Sequence, residues 1–183
     1  MPPPKPPPDP SLQSDPVDER AIAAQVPRLR RYAAALAGNL SDADDLVQDC
    51  IEKALVHRHT LRDGARLGGW LLSILHNLHV SGLRWRRRRG PEVPVEDLAD
   101  DLVLSAAPSD RAEVRDFVRA FNRLSEEHRA VLLLTGMEGL SYREAAEVLG
   151  VPVGTVMSRL ARAREKLRVL LDGGTEQAVR RVK

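Results

Sequence analysis

The amino-acid sequence predicts an all-α protein of two small helical domains that are joined by a flexible acidic linker, with a helix-turn-helix in the second domain. Aromatic residues are only 3% of the chain, whereas hydrophobic residues reach 43%. Leu, Val and Ala must therefore build the core, which is the composition of packed helices. The 13 prolines are unevenly placed, which favours small domains separated by flexible segments over one large domain.

Two stretches interrupt the helical pattern. The opening PPPKPPPDP has too little apolar surface to offset the entropy lost on ordering, which predicts a disordered tail. Between 90 and 109, prolines and acidic residues follow each other without a sustained period, which predicts a linker and two domains that behave independently. The predicted divisions are a tail at 1–18, a first domain at 19–89, the linker at 90–109, a second domain at 110–171 and a tail at 172–183.

Charge and cysteine content limit the class of protein. Charged residues are 30% of the chain with a net charge of only +2, and the two signs are segregated, so basic faces are available to nucleic acid and acidic faces to a protein. The single cysteine, Cys50, cannot form an internal disulfide. No secretory segment is visible and no apolar run is long enough to cross a bilayer, which predicts a cytoplasmic protein without membrane insertion.

Three helices are predicted in the first domain. The first begins near Glu19, although Pro27 should kink it or mark its real start, and a turn at Gly38 ends it. The second helix opens on the cap-type residues Ser41 and Asp42. The third helix runs into RWRRRR, and its predicted buried residues are Leu67, Trp70, Leu71, Ile74, Leu75 and Leu78.

The second helix, SDADDLVQDCIEKAL, has an apolar stripe that includes Cys50, which predicts a core position for this thiol. Its opposite face is acidic. A rigid acidic face complements a basic partner protein, but such faces are also common as plain solvated surface. The residues of this face are Asp45, Gln48, Asp49 and Glu52.

A helix-turn-helix is predicted from LSYREAAEVLGVPVGTVMSRLARAREKLR. Ser141 and Glu144 form a capping box that starts one helix, and Gly150 stands where this helix must end before a tight turn. The second helix, from about Thr155, exposes basic and hydroxyl side chains of the kind that contact phosphates and read guanine edges in a major groove. The same arginines are compatible with a solvated helix face, but the capping box and the glycine favour DNA binding.

On these motifs the sequence resembles the sigma-70 family, in its extracytoplasmic-function (ECF) branch. The helix-turn-helix segment is similar to that branch's minus-35-reading motif. DADDLVQDCIEKAL is similar to its polymerase-docking helix, and GGWLLSILHNLHVSGLRWRRRR to its minus-10-reading and melting helix. The segments stand in the family's order and cover most of residues 19–171. PRLRRYAAAL and DADDLVQDC are similar to the general-stress branch of alphaproteobacteria.

The resemblance implies an alternative sigma factor of a stress response, which binds core RNA polymerase through the acidic face, binds promoter DNA, and is controlled by an anti-sigma factor. The loop from His57 to Gly69 and the neighbouring face of the third helix would accept a base flipped from the minus-10 element. The implied minus-10 contacts are His76, Asn77, Arg84, Arg86, Arg87 and Arg88. The implied minus-35 contacts are Thr155, Ser158, Arg159, Arg162 and Arg164.

Two other classes of protein remain open at this point. A dimeric helix-turn-helix regulator needs a similar final domain but no polymerase-docking helix. A metalloprotein is conceivable because His at positions i and i+3 of a helix can share a metal, as His76 and His79 would. The histidines have no Cys or acidic third ligand nearby, and neither a nucleotide-binding loop nor catalytic triad spacing is visible. No metal, cofactor or catalytic residue is therefore predicted, and catalysis would belong to the polymerase.

Overall fold

The computed structural model describes residues 18–61, 63–89 and 111–181, and gives side chains within these ranges except at 85–89 and 173–181. Its regular structure in these ranges is helical throughout, which confirms the all-α prediction. Residues 1–17 of the predicted tail and the predicted linker at 90–109 lie outside the described residues. Within the described part of the chain, the helices are all too short or too polar to cross a membrane.

The first domain begins with α1 (Glu19–Ala37) and α2 (Leu40–His57). Asp18 caps α1 by accepting a hydrogen bond from the Ala21 N–H at 2.6 Å. Pro27 lies inside α1, so the expectation that it marks the helix start is wrong; Asp18 and Glu19 provide a complete N-terminus eight residues earlier. Asn39, and not Ser41, caps α2, since its side chain accepts from the Asp42 N–H at 2.7 Å.

Helix α3 (Leu67–Arg89) completes the first domain after two short 3₁₀ turns. Of its predicted apolar stripe, Leu67, Leu71 and Leu75 are buried, and the other three side chains pack partly buried against the core. Cys50 is buried as predicted, and its Sγ lies 3.4 Å from the Leu71 carbonyl oxygen. Burial raises the pKa of the Cys50 thiol to about 12, so the thiol is protonated and unreactive at neutral pH.

The second domain contains α4 (Arg111–Asn122), α5 (Glu126–Leu132) with a π-helical turn (Leu133–Met137), α6 (Tyr142–Leu149) and α7 (Val153–Arg181). The predicted capping box is present: the Ser141 N–H donates to Glu144 Oε2 at 2.8 Å, and the Glu144 N–H donates to Ser141 Oγ at 3.3 Å. Gly150 ends α6 with a φ of 64°, a conformation that glycine adopts without steric penalty.

Helix α7 continues beyond the predicted domain end at 171. Its backbone is helical as far as Arg181, where the sequence predicted a frayed tail. Arg168 supports this continuation, because its guanidinium pairs with Glu165 at 2.9 Å and with Asp172 at 3.0 Å, one turn to either side. Pairs at this spacing stabilise a helix slightly.

The two domains pack against each other. Helix α3 contacts α6, and α1 contacts both α5 and the π-helical turn. Buried apolar side chains form one continuous cluster from Ile22 in α1 to Val156 in α7. This packing differs from the expectation of independent domains, because apolar faces of helices from both domains join them.

Candidate functional site

The acidic face of α2 is exposed. The four residues predicted to bind polymerase lie three and four positions apart, so they occupy one side of the helix. Gln48 Nε2 donates a hydrogen bond to Glu52 Oε1 at 3.1 Å. The neighbouring carboxylate of Asp44 is engaged differently, since Arg30 holds both of its oxygens at 2.7 and 2.8 Å and lowers its pKa. The exposed members of the face are Asp45, Gln48, Asp49 and Glu52.

The predicted minus-10 residues of α3 do not form one continuous surface in this structure. Asn77 and Arg84 are exposed and lie seven residues apart, on the same side of the helix. His76 is only 8% exposed and is covered by the second domain. The side chains of the arginine run at 85–89, which includes the predicted contacts Arg86, Arg87 and Arg88, lie outside the described residues.

Two histidines and a glutamate meet where α3 contacts the second domain. His79 Nε2 lies 2.8 Å from Glu126 Oε1, with exposed side-chain fractions of 3% and 18%. Burial lowers the pKa of His76 to about 4, and the nearby His79 adds to this shift. Burial opposes the ionisation of Glu126, but the contact with His79 and the charge of Arg129 together outweigh burial and lower the pKa of this carboxyl group. His76 is therefore neutral and Glu126 is charged at pH 7.

Helix α7 presents most of its predicted minus-35 residues on one face. Val156, Leu160 and Ala163 are buried on the core side. Ser158 and Arg162 are exposed on the opposite side, next to the half-buried Thr155. This arrangement is what a recognition helix needs, because its core side must anchor it while its outer side meets the major groove.

Two of the predicted minus-35 arginines differ from Arg162 in their surroundings. Arg159 is 23% exposed and its Nη2 lies 3.0 Å from Glu127 Oε1, so it is partly engaged within its own domain. Arg164 is exposed, but at about 100° per residue it lies roughly 160° around the helix from Arg162. The two arginines cannot enter the same groove together. Arg162 and Ser158 form the accessible centre of the predicted minus-35 surface.

A cleft of ≈ 700 Å³ lies between the domains, next to the loop that was predicted to accept a flipped base. It is lined by Arg66 and Gly68 on the first domain and by Glu144 and Glu147 on α6. Arg66 Nη2 lies 3.2 Å from Glu147 Oε2. Arg66 belongs to the predicted loop from His57 to Gly69. The carboxylates of the second domain that face it were not predictable, since no local pattern encodes a contact across 81 residues.

Among the residues that the structure describes, no group of three or more His, Cys, Asp or Glu side chains is placed to hold a metal ion. His76 and His79 face Glu126, and this contact accounts for the placement of His79 without a metal.

Both domains match models of known protein families. Residues 22–76 match the family described as the sigma2 domain of PhyR, and residues 115–167 match "Sigma-70, region 4". The first match includes α2 and the whole loop from His57 to Gly69. The second includes α6 and the part of α7 that carries the predicted minus-35 residues. The two models occur in the order in which the resembling segments stand in the sequence.

Full-length relatives agree with these matches. The chain is 40% identical to the ECF RNA polymerase sigma factor EcfG of Rhodopseudomonas palustris, over 88% of this chain and 92% of the relative. It is 36% identical to the ECF RNA polymerase sigma factor SigC of Mycobacterium tuberculosis, over 81% of this chain and 80% of the relative.

Solved structures show the same likeness. The sigma factor RpoE of Bartonella quintana, in complex with the anti-sigma factor NepR, superposes with a TM-score of 0.72 at 32% identity, over 84% of this chain and 96% of that one. CnrH, in complex with the cytosolic domain of CnrY, gives a TM-score of 0.61 at 29% identity, over 89% and 95%.

Proposed function

This chain belongs to the ECF family of RNA polymerase sigma factors, and we propose that within this family it serves the general stress response of its cell under the control of an anti-sigma factor. As an alternative sigma factor it binds core RNA polymerase and directs it to a class of promoters. The observation that carries this conclusion is the 40% identity to EcfG over 88% of the chain. The general-stress assignment is supported by the same relative and by the likeness to the RpoE that was solved with NepR.

We propose that the acidic face of α2 docks on a basic surface of core polymerase. Asp45 and Asp49 are exposed, so they reach a partner without any rearrangement of the first domain. Complementary charge at such a contact accelerates association and excludes wrong partners. Asp44 does not belong to this face, because Arg30 already occupies both of its oxygens.

Promoter recognition is divided between the two domains in this proposal. Ser158 and Arg162 on α7 read the minus-35 element in the major groove, where an arginine pairs with guanine through two hydrogen bonds. Asn77 and Arg84 on α3, with the arginines that follow, hold the melted minus-10 strand. The protein itself carries out no chemical step; the polymerase catalyses RNA synthesis, and the proposed location of both is the cytoplasm.

Reconstituted transcription tests this function. The purified chain, mixed with core polymerase that lacks any sigma factor, should copurify with it and initiate RNA at discrete sites on fragments of the organism's genome. The competing regulator class predicts a dimer that binds duplex DNA but leaves core polymerase unable to initiate. A chain that binds DNA tightly yet neither copurifies with core nor starts transcripts would refute the proposed function.

A further inference from the structure

A stripe of basic side chains runs along α7, beside the face that is proposed to read bases. Arg159 and Lys166 stand two turns apart on the helix, and Arg162 lies between them. At about 100° per residue, the three side chains fall within roughly 60° of one another. Arg162 belongs to the proposed reading face, so Arg159 and Lys166 form the flank of that face. We call these two residues, together with His128 of α5, the basic rim.

His128 extends this stripe onto a second helix, because α5 packs against α7. Its side chain is half-buried, and its Nδ1 is a buried atom without a hydrogen-bond partner among the described residues. Burial and the positive charges of α7 lower the pKa of His128, whereas a neighbouring carboxylate opposes this shift. The charged groups that reach it are Lys166, Glu127, Arg159 and Arg162. The imidazole is therefore neutral inside a cationic cluster, where a bound anion would favour its protonation.

The carboxylate of Glu127 holds one member of the basic rim. Its Oε1 lies 3.0 Å from Nη2 of Arg159. The side chain of Glu127 is 65% exposed, whereas that of Arg159 is 23% exposed. An ion pair with one member in water adds little stability, because solvent screens its charges. Arg159 can therefore exchange this carboxylate for another anion with little loss in stability.

The position of the basic rim on the helix fits the phosphate backbone of duplex DNA. The major groove is about 12 Å wide, and a helix with its side chains is about 10 to 12 Å in diameter. The flanks of a helix that enters the groove therefore face the phosphates of its walls, while the outermost side faces the bases. Arg159 and Lys166 are about 10.5 Å apart along the helix axis, so they reach different phosphates.

We propose that the basic rim binds backbone phosphates beside the minus-35 element: Arg159 leaves Glu127 for one phosphate, Lys166 contacts another, and His128 takes up a proton from solvent as the duplex binds. This inference rests on the proposed function, because it takes α7 as the helix that enters the groove. It concerns the binding of duplex DNA alone, however, and that binding is measurable without polymerase, strand melting or transcription.

The salt dependence of duplex binding tests the contact of Lys166. Each phosphate contact releases counterions, so the loss of one contact reduces the slope of log affinity against log salt concentration by about one. Fluorescence anisotropy of the full chain with a labelled duplex of mixed sequence should show this reduction for Lys166→Gln. Lys53→Gln removes an exposed lysine of α2 instead and should leave the slope unchanged. An unchanged slope for Lys166→Gln, or no binding of the duplex by the unsubstituted chain, would overturn the proposal.

The Glu127→Gln substitution tests the release of Arg159. It should tighten duplex binding by about threefold or more, because the guanidinium no longer has to leave a carboxylate. The same substitution in an Arg159→Ala background separates this effect from general repulsion between the carboxylate and DNA. We expect most of the gain in affinity to disappear in that background. An equal gain in both backgrounds would overturn the proposal that Glu127 acts by holding Arg159.

Proton uptake at His128 predicts that duplex affinity rises as the pH falls from about 8 to about 6, because phosphate favours the charged imidazole. His128→Gln should bind weakly and His128→Arg tightly, each with less dependence on pH, since neither new side chain titrates in this window. Unreduced pH dependence in both variants would overturn the role of His128.

These duplex measurements and reconstituted transcription fail independently of each other. If the rim substitutions act as expected but transcription fails, the proposed function is wrong while the phosphate site stands. If transcription succeeds and the rim substitutions leave duplex binding unchanged, only this inference fails.

Discussion

On α2, the carboxylates of Asp45 and Asp49 are exposed. At the interdomain seam, which consists of the pairs Arg28–Glu138, Arg66–Glu147 and His79–Glu126, the side chains of Glu126 and Glu138 are only 18% and 2% exposed. At the seam these carboxylates lie next to the basic residues His79 and Arg28. The partner at the seam is this chain itself, and the proposed partner at α2 is another protein. The comparison teaches that carboxylates kept in water remain available for association, whereas buried carboxylates fix the arrangement of the chain that contains them.

Charge reversal on α2 is expected to have the largest effect. Asp45→Lys combined with Asp49→Lys should abolish binding to core polymerase, since like charges across an interface are unfavourable by several kcal/mol, roughly a hundredfold or more in affinity. Copurification and reconstituted transcription measure this loss. The free energy of unfolding should change by about 0.5 kcal/mol or less, because both side chains are exposed.

Glu113→Lys combined with Asp116→Lys is the matched control. These residues are also exposed, also three to four positions apart, and lie on α4 of the second domain. The control should bind polymerase normally. If both double variants bound normally, the acidic face of α2 would be solvated surface without a docking role.

The next largest effect is on stability, and it should differ between a buried ion pair and an exposed one. Arg28→Met leaves Glu138 without its partner at 2% exposure, which should lower the free energy of unfolding by about 3 kcal/mol. Arg66→Met removes the partner of a Glu147 that is 55% exposed, and should lower it by less than about 1 kcal/mol. Urea unfolding of both variants distinguishes these results. Equal losses would mean that burial does not distinguish the two pairs.

The local elements of the fold were predictable because their signals lie within a few residues of each other. Ser141 and Glu144 predicted the capping box, Gly150 predicted the end of α6, and apolar spacing predicted the buried side of α3. The start of α2 was misjudged, because Asn39 caps it in place of Ser41. Both residues are good N-caps, so propensity alone does not choose between them.

The seam was not predictable in the same way. Arg28 and Glu138 are separated by 110 residues, and neither stands in a pattern that names the other. Their contact depends on how helix faces from two domains meet, which hydrophobic spacing within one helix does not specify. For the same reason His76 was predicted as an accessible contact but is buried against the second domain.

A third prediction compares two arginines on α7. Arg162→Ala should weaken binding to a minus-35 duplex by about 1 to 3 kcal/mol and relax sequence preference if the arginine reads a base. If it contacts phosphate, affinity for all duplexes should fall alike and the salt dependence should decrease. Arg164→Ala, on the far side of the helix, should have a smaller effect. Unchanged binding by Arg162→Ala to every duplex would remove this residue from the site.

The smallest effect concerns pH at the seam. The pKa of His76 is lowered from 6.5 to about 4 by burial, so between these values the folded protein binds fewer protons than the unfolded chain. The contribution of His76 to the free energy of unfolding is therefore full above about pH 6.5. It is lost as the pH falls toward 4, by up to about 1.4 kcal/mol per pH unit. Glu126 has a lowered pKa as well, and its contribution is lost only at lower pH, below the usual range of a glutamate. Urea unfolding at pH 7 and at pH 5.5 measures the contribution of His76 as a difference in the free energy of unfolding.

The His76→Leu substitution distinguishes the titration of His76 from the effects of its neighbours, which are His79, Glu126 and Arg159. Its Nδ1 is a buried atom without a hydrogen-bond partner among the described residues, so leucine removes an uncompensated polar atom together with the titrating group. We expect the variant to be at least as stable at pH 7 and to lose much of the difference between pH 7 and pH 5.5. If the variant kept the full difference in the free energy of unfolding between pH 7 and pH 5.5, other groups would cause that difference, and His76 would have no part in the pH dependence of the seam.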